Sequence, residues 1–304
     1  MVKEAKKVFH KIQDLHENKS EMLGAAFWLP VLWLFFAFIC ALSAGWWTLP
    51  PLDQVDWGNQ AALPGAESLI SLSEESAGRF IHLLGTDSVG RDILTRLLFG
   101  ARVSLIIGIC SSLIGMIIGG GLGLLAGYYR GRLETLIIGS MDTILAFPGL
   151  VLLLVMTYLV GASLTNITLV LGFLVIPAFC RVARANTLRF AELEFVQAAR
   201  AAGTRDRFII VREILPNVLI PLSVYALLVV AFLIILEGGL GFLGLSVPAP
   251  TPSWGGMIAE GYGVLQEAPH VSLIPMLAMF LTILSFNLLG DRLRSLTDVR
   301  ESRL

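Results

Sequence analysis

Six apolar runs, at residues 22–44, 103–128, 133–160, 167–180, 218–236 and 271–289, leave this chain few folds to choose from. A helix crosses the hydrocarbon of a bilayer in ~20 mostly apolar residues, because it satisfies its main-chain N–H and C=O groups internally. Only 15% of the 304 residues are charged, against about 25% in a soluble domain, so lipid is the expected solvent. The reading is an all-α membrane protein with six transmembrane helices. The fourth run is short by itself, and Arg181 and Arg184 extend it by snorkelling into the headgroups.

The placement of charge orients the spans. All five lysines fall within the first nineteen residues. With the N-terminus inside, segments 1–21, 129–132, 181–217 and 290–304 are internal and hold eighteen of the 22 Lys and Arg residues. The positive-inside trend therefore predicts N-in and C-in. The outer loops carry acids instead: Asp53, Asp56, Glu67, Glu74 and Glu75 after the first span, Glu237, Glu260 and Glu267 after the fifth. The first run is longer than the apolar region of a signal peptide, so it reads as a permanent anchor. The division that follows is a tail (1–21), an anchor helix (22–44), an outer loop with an amphipathic segment (45–102), a five-helix core (103–290) and a second tail (291–304).

Within the spans a few residues stand out. Gly115, Gly119, Gly123 and Gly127 recur every fourth position, a stripe that lets two helix backbones approach closely. Pro148 interrupts the third run, and Ala146 to Gly149 is the place for it to bend. Asp142 sits near the inner end of the same run. It is either an interfacial acid paired with Arg130 or Arg132, or a member of a transport path or gate together with Phe147 and Pro148. Cys40, Cys110 and Cys180 lie far apart in apolar runs and read as small buried hydrophobes. Neither they nor the four histidines have metal-site spacing.

Two polar segments have helical shape. In FVQAARAAG at 195–203, residues Phe195, Ala198, Ala199 and Ala202 fall on one stripe, and Gly203 ends the helix. A second short helix is expected to start at Thr204, with Asp206 in its first turn, and to run toward Pro216. On the outer side, Thr86 or Asp87 caps an expected amphipathic helix lying along the interface. Ile93, Leu94, Leu97 and Leu98 form its apolar face and Arg91, Asp92 and Arg96 its polar one. Pairing with Asp87 and Asp92 offsets the cost of arginines on that side.

The cytoplasmic segment resembles the EAA loop of ABC-importer permeases, with Gln197 standing where that family usually has Glu. The pattern GTDxxGRDxxxRxxxGxRxS at 85–104, containing Asp87, Arg91, Asp92 and Arg96, resembles the loop before the second span in C-type permease subunits of peptide and nickel ABC importers. The glycine- and proline-broken stretch 237–256 resembles their re-entrant outer loop, and NLLGDRLR at 287–294 closes the last span as their C-termini do. The resemblance runs from about residue 20 to 304. It implies the type I ABC-importer permease fold, with a cytoplasmic coupling helix between spans four and five. It also implies a non-enzymatic translocation subunit of the inner membrane, paired with a homologous permease, two ABC ATPase subunits and an extracytoplasmic substrate-binding protein. ATPase docking falls on Glu194, Phe195, Gln197, Ala198, Ala199, Arg200, Gly203, Arg205 and Asp206. Peptides are the implied cargo, with nickel chelates or other small solutes as the alternative.

The residues agree with that division of labour. No GxxxxGK[ST] loop occurs, so ATP and Mg belong to the partner subunits, and this chain needs no metal or cofactor of its own. The net charge of −1 carries no signal for nucleic acid, and none is expected as a partner. An ion-coupled secondary transporter would call for more ionisable residues at membrane depth than Asp142, and for paired broken helices in two repeats. An intramembrane enzyme would need a catalytic pair, and no His or Lys lies within a predicted span.

Overall fold

A computed structural model describes residues 24–73 and 76–301. The whole basic N-terminal tail (1–21), the first two residues of the anchor run, the outer-loop acids Glu74 and Glu75, and residues 302–304 lie outside the described residues. Among the described residues the architecture is helical with one exception, an antiparallel hairpin of β1 (Ala66–Ser73) and β2 (Ser76–His82) in the predicted outer loop. The helix α1 (Ala25–Ser43) precedes it. After it come α2 (Ile93–Ile114) and α3 (Gly120–Tyr129), joined through a π-helical turn at Gly115–Gly119. Then follow α4 (Gly131–Leu145), α5 (Gly149–Val160), α6 (Leu164–Phe190) and α7 (Glu194–Ala201). The turn α8 (Asp206–Phe208) passes through a π segment at Ile209–Ile214 into α9 (Leu215–Phe242), and α10 (Trp254–Tyr262) and α11 (His270–Glu301) complete the chain.

Four of these stretches are long and apolar enough to cross a membrane: Ile93–Tyr129, Leu164–Phe190, Asp206–Phe242 and His270–Ser295. A fifth exists if α4 and α5, bent by 83° at their break, count as one. The first apolar helix, Phe27–Ser43, is shorter. The apolar runs underestimate the helices, because polar ends continue the same hydrogen-bond ladder. The fourth span reaches Phe190, and Arg184 there bonds Glu134 through Nε (2.6 Å) instead of snorkelling freely. Pro216 does not end a helix. The ladder widens to π just before it, where an α-ladder would require the N–H that proline lacks.

The glycine stripe packs along α6. A Cβ at Gly119 would run into the Ile176 carbonyl oxygen, one at Gly123 into that of Cys180, and one at Gly127 would lie 2.7 Å from the Thr187 Cβ. Lipid gives no hydrophobic push between helices, so contact of this kind, with bonds such as Ser111 Oγ to the Thr168 carbonyl (2.8 Å), holds them together. Ile107, Leu171, Phe179, Val218 and Leu233 fill the shared core of α2, α6 and α9. Of the cysteines, Cys180 is buried, whereas Cys40 is partly exposed and Cys110 exposed, on helix faces that the predicted burial overlooks.

Before the first long helix, the predicted interfacial helix is replaced by something firmer. Asp92, not Thr86 or Asp87, is the cap: its carboxylate accepts from Thr95 N (2.7 Å) and Thr95 Oγ1 (2.9 Å). The helix it starts runs unbroken to Tyr129 as part of a span. Asp87 instead braces the preceding turn, accepting from Val89 N and Arg91 N, each at 2.9 Å. Glu237, predicted in the outer loop, lies inside α9 and is fully buried, accepting from Ser246 Oγ (2.5 Å) and Ser253 Oγ (2.6 Å).

Candidate functional site

The predicted cytoplasmic segment forms a helical knob that begins at α7. Glu194 occupies its first turn and Arg200 its last, both favourable to the helix dipole. Val196 is the anchor, wholly buried in the α2–α6–α9 core, and Ala199 rests against the same core. Phe195, Gln197, Ala198, Arg200 and Ala202 are exposed. Three of the four predicted stripe residues therefore face outward, and Ala199 stands on the border. Val196 is absent from the predicted stripe because a lone valine beside a phenylalanine gives no sign of which one turns inward.

Gly203 ends the helix by a Schellman turn. Its N–H donates to the Arg200 carbonyl (3.0 Å), Thr204 N donates to the Ala199 carbonyl (3.1 Å), and its φ of +76° is one that side chains with a Cβ resist. Thr204 does not start the next helix. Arg205 is the N-cap residue there and Asp206 the first residue, so the exposed run extends from Ala201 through Phe208.

Polar contacts tie the knob to the end of α3. Tyr128 Oη donates to Asp206 Oδ1 (2.7 Å), and the Arg200 guanidinium lies over the Tyr128 ring, 5.1 Å from its centre. Arg130, in a left-handed conformation (φ +53°), donates to Glu192 (2.8 Å). Tyr128, Arg130, Ala191, Glu192, Gln197 and Arg200 line an open cavity of ≈ 310 Å³. Arg207 and Arg212 flank Phe208 at 4.9 and 5.3 Å from its ring centre.

The other predicted residues fall in two places. Asp142 pairs with Arg181 of α6 (2.6 Å), not with Arg130 or Arg132, and Phe147 and Pro148 form the break between α4 and α5. In the second, Arg91 joins Asp87 (2.7 Å) and Glu260 (2.6 Å), and the buried Arg96 joins Glu260 (2.7 Å) and Asp87 (3.3 Å). Asp92 pairs with buried His82 (2.8 Å) instead of an arginine. Burial alone would raise the Asp56 carboxyl. Hydrogen bonds from Ser68, Asn59 and the Gly58 N–H, with His82 nearby, outweigh that and hold it below the ordinary value. Among the described residues no three of His, Cys, Asp and Glu gather as a metal site.

The family described as "Binding-protein-dependent transport system inner membrane component" matches residues 119–303. The glutathione transport system permease protein GsiD of Pectobacterium atrosepticum is 39% identical over 259 residues, 85% of this chain and 86% of that one. A putative peptide transport system permease protein of Brucella suis is 41% identical over 219 residues, 72% of this chain and 74% of that one. The inward-facing MetNI methionine ABC transporter shares the fold at a TM-score of 0.54 and 20% identity, covering 66% of this chain and 95% of that one. With most of its length matched by sequence and its helical core by shape, the chain belongs to this transport-system family as an ABC-importer permease of the peptide/oligopeptide group, a multi-pass protein of the cytoplasmic membrane.

Proposed function

We propose that this chain is the non-enzymatic translocation subunit of an ATP-driven peptide importer, and that α7 with its glycine turn is where the ATPase docks. The observation that carries the docking assignment is the knob itself: small, solvent-facing residues on a short helix whose opposite side is fixed in the core by Val196. Glu194, Phe195, Gln197, Ala198, Ala199, Arg200, Gly203, Arg205 and Asp206 make up the contact. Gln197 brings hydrogen-bonding capacity without charge, which leaves Arg200 and Glu194 to supply ionic contacts.

In this reading the chain crosses the membrane six times, N-in and C-in. α1 is the first span, and the bent α4–α5 pair is the third. The permease core reaches back to Ile93, the outer loop ends there, and 1–21 and 291–304 are cytoplasmic. A homologous permease completes the path, two ATPases bind ATP and Mg, and an extracytoplasmic binding protein delivers the cargo. Closure of the ATPases on the knob rocks α6 and α9, which directly flank it, and exposes the path to alternate sides. Asp142, Phe147 and Pro148 belong to that path or its gate. Relatives named for glutathione and for peptides favour peptide cargo over nickel chelates.

Purification of the tagged chain from its host in mild detergent tests the assembly. Recovery of a second permease and ATPases, with ATP-dependent peptide uptake after reconstitution, is the expected result. A chain recovered alone that moves solute without ATP would overturn the reading.

A further inference from the structure

α4 has two unlike faces. Ile137 and Met141 are buried against α3 and α6, in contact with a cluster containing Ala126, Ile176 and Cys180. Thr135, Gly139, Asp142, Thr143 and Ala146 are exposed. Their spacing of i, i+4, i+7, i+8 and i+11 places them on one side of the helix. This face is small and polar, whereas faces that suit lipid are apolar, as α1 shows with Phe35 and Leu42 and α5 with Val155 and Leu159.

On that face sits an ion pair. Asp142 Oδ1 and Arg181 Nη2 are 2.6 Å apart, yet the two side chains remain 54% and 55% exposed. Asp142 lies eleven residues beyond Gly131, about 16 Å along α4 and close to the break in the bent pair that together passes for one span. Open charges within a span belong in a water-filled cavity or under a protein cover. The adjacent break adds to this. Phe147 is exposed, and the first turn of α5 has no side-chain cap. Main chain of that kind persists at membrane depth where it is buried in protein or lines a wet cavity. A strut between α4 and α6 already exists in the better-covered Arg184–Glu134 pair, so Asp142 and Arg181 are not needed as one.

We infer that Asp142 and Arg181 form a contact point for the charged ends of the passing peptide. The inference rests on the peptide-importer reading above. The peptide's carboxylate takes Arg181 and its ammonium takes Asp142, so one ion pair opens as two others form. Because the side chains neutralise each other before and after, no bare charge is left when the peptide departs. Such an exchange holds the cargo weakly enough to release it, as a transport path requires. The chemical class selected is a zwitterion with free termini.

The test uses the assembled complex in proteoliposomes with its binding protein and ATP, and trialanine as the probe. Arg181→Gln is expected to slow free trialanine about tenfold while trialanine amide keeps its wild-type rate, the signature of a direct pairwise coupling. Asp142→Asn should do the same for free trialanine against its N-acetyl form. The exchange Asp142→Arg with Arg181→Asp keeps the two helices attracted, and should assemble and hydrolyse ATP yet move free trialanine about tenfold more slowly. Where wild type refuses the blocked peptides, this exchange decides alone. Equal rates for every variant would overturn the inference, as would loss of subunits in the single variants restored to full transport by the exchange. A wild-type complex that assembles but moves no trialanine would instead overturn the peptide-importer reading, and the inference with it.

Discussion

The two ends of the molecule are built on opposite plans. At the end that carries the hairpin, Asp87, Arg91, Arg96 and Glu260 close on one another, and Asp92, His82 and Asp56 form a second set beside them. Charges are turned inward there, and Arg96 is 2% exposed. At the other end α7 turns nearly everything outward and keeps only Val196 fully inside. The outer loop is thus held to the bundle by contacts it makes itself. The knob is anchored by that one side chain and leaves its small residues facing outward.

That contrast predicts different responses to damage. The largest effect on stability should come from Arg96→Met, which preserves bulk but strips Asp87 and Glu260 of a buried partner. Breaking a buried pair from one side costs about 3–5 kcal/mol, so the purified subunit should melt at a clearly lower temperature in detergent. An unchanged melting point would mean the outer network is ornamental. Next is Gly203→Val. No atom lies within 4 Å of an added Cβ, so the penalty is conformational, ~1–2 kcal/mol for forcing a Cβ-bearing residue into a left-handed turn. Uptake should fall several-fold with little change in melting, and normal uptake would show that the turn is not needed for coupling.

The smallest effect concerns acid. The Asp56 carboxyl sits below its ordinary value in the folded protein, so its contribution is fully present above the unfolded value. It is lost as pH falls through the folded one. Asp56→Asn should therefore lower the melting temperature modestly at neutral pH and flatten the acid limb, so that variant and wild type converge in acid. An acid limb identical to wild type would remove Asp56 from the outer network.

What could be read beforehand was local. The helix at 195–203 and its glycine stop were legible because a Schellman turn is written in a few adjacent residues. The glycine stripe and the bend at Pro148 were legible for the same reason. Partners across the fold were not. Nothing near Asp142 points to Arg181, 39 positions away, and nothing in the outer motif points to Glu260, more than 160 positions from Arg96. The hairpin at 66–82 was missed because it lies in the part of the loop before the 85–104 pattern. Glu237 was misplaced because glycines beside an acid look like a loop, although here they let α9 and α10 touch at Gly238 and Gly255.

The most direct measurement is on Ala198, which is exposed and, unlike Ala199, owes nothing to the core. Ala198→Arg should leave the subunit as stable as wild type and still joined to its permease partner, while the ATPases no longer co-purify and uptake is abolished. If that variant retains its ATPases and transports at the wild-type rate, the knob is not the docking site and the account fails at its centre.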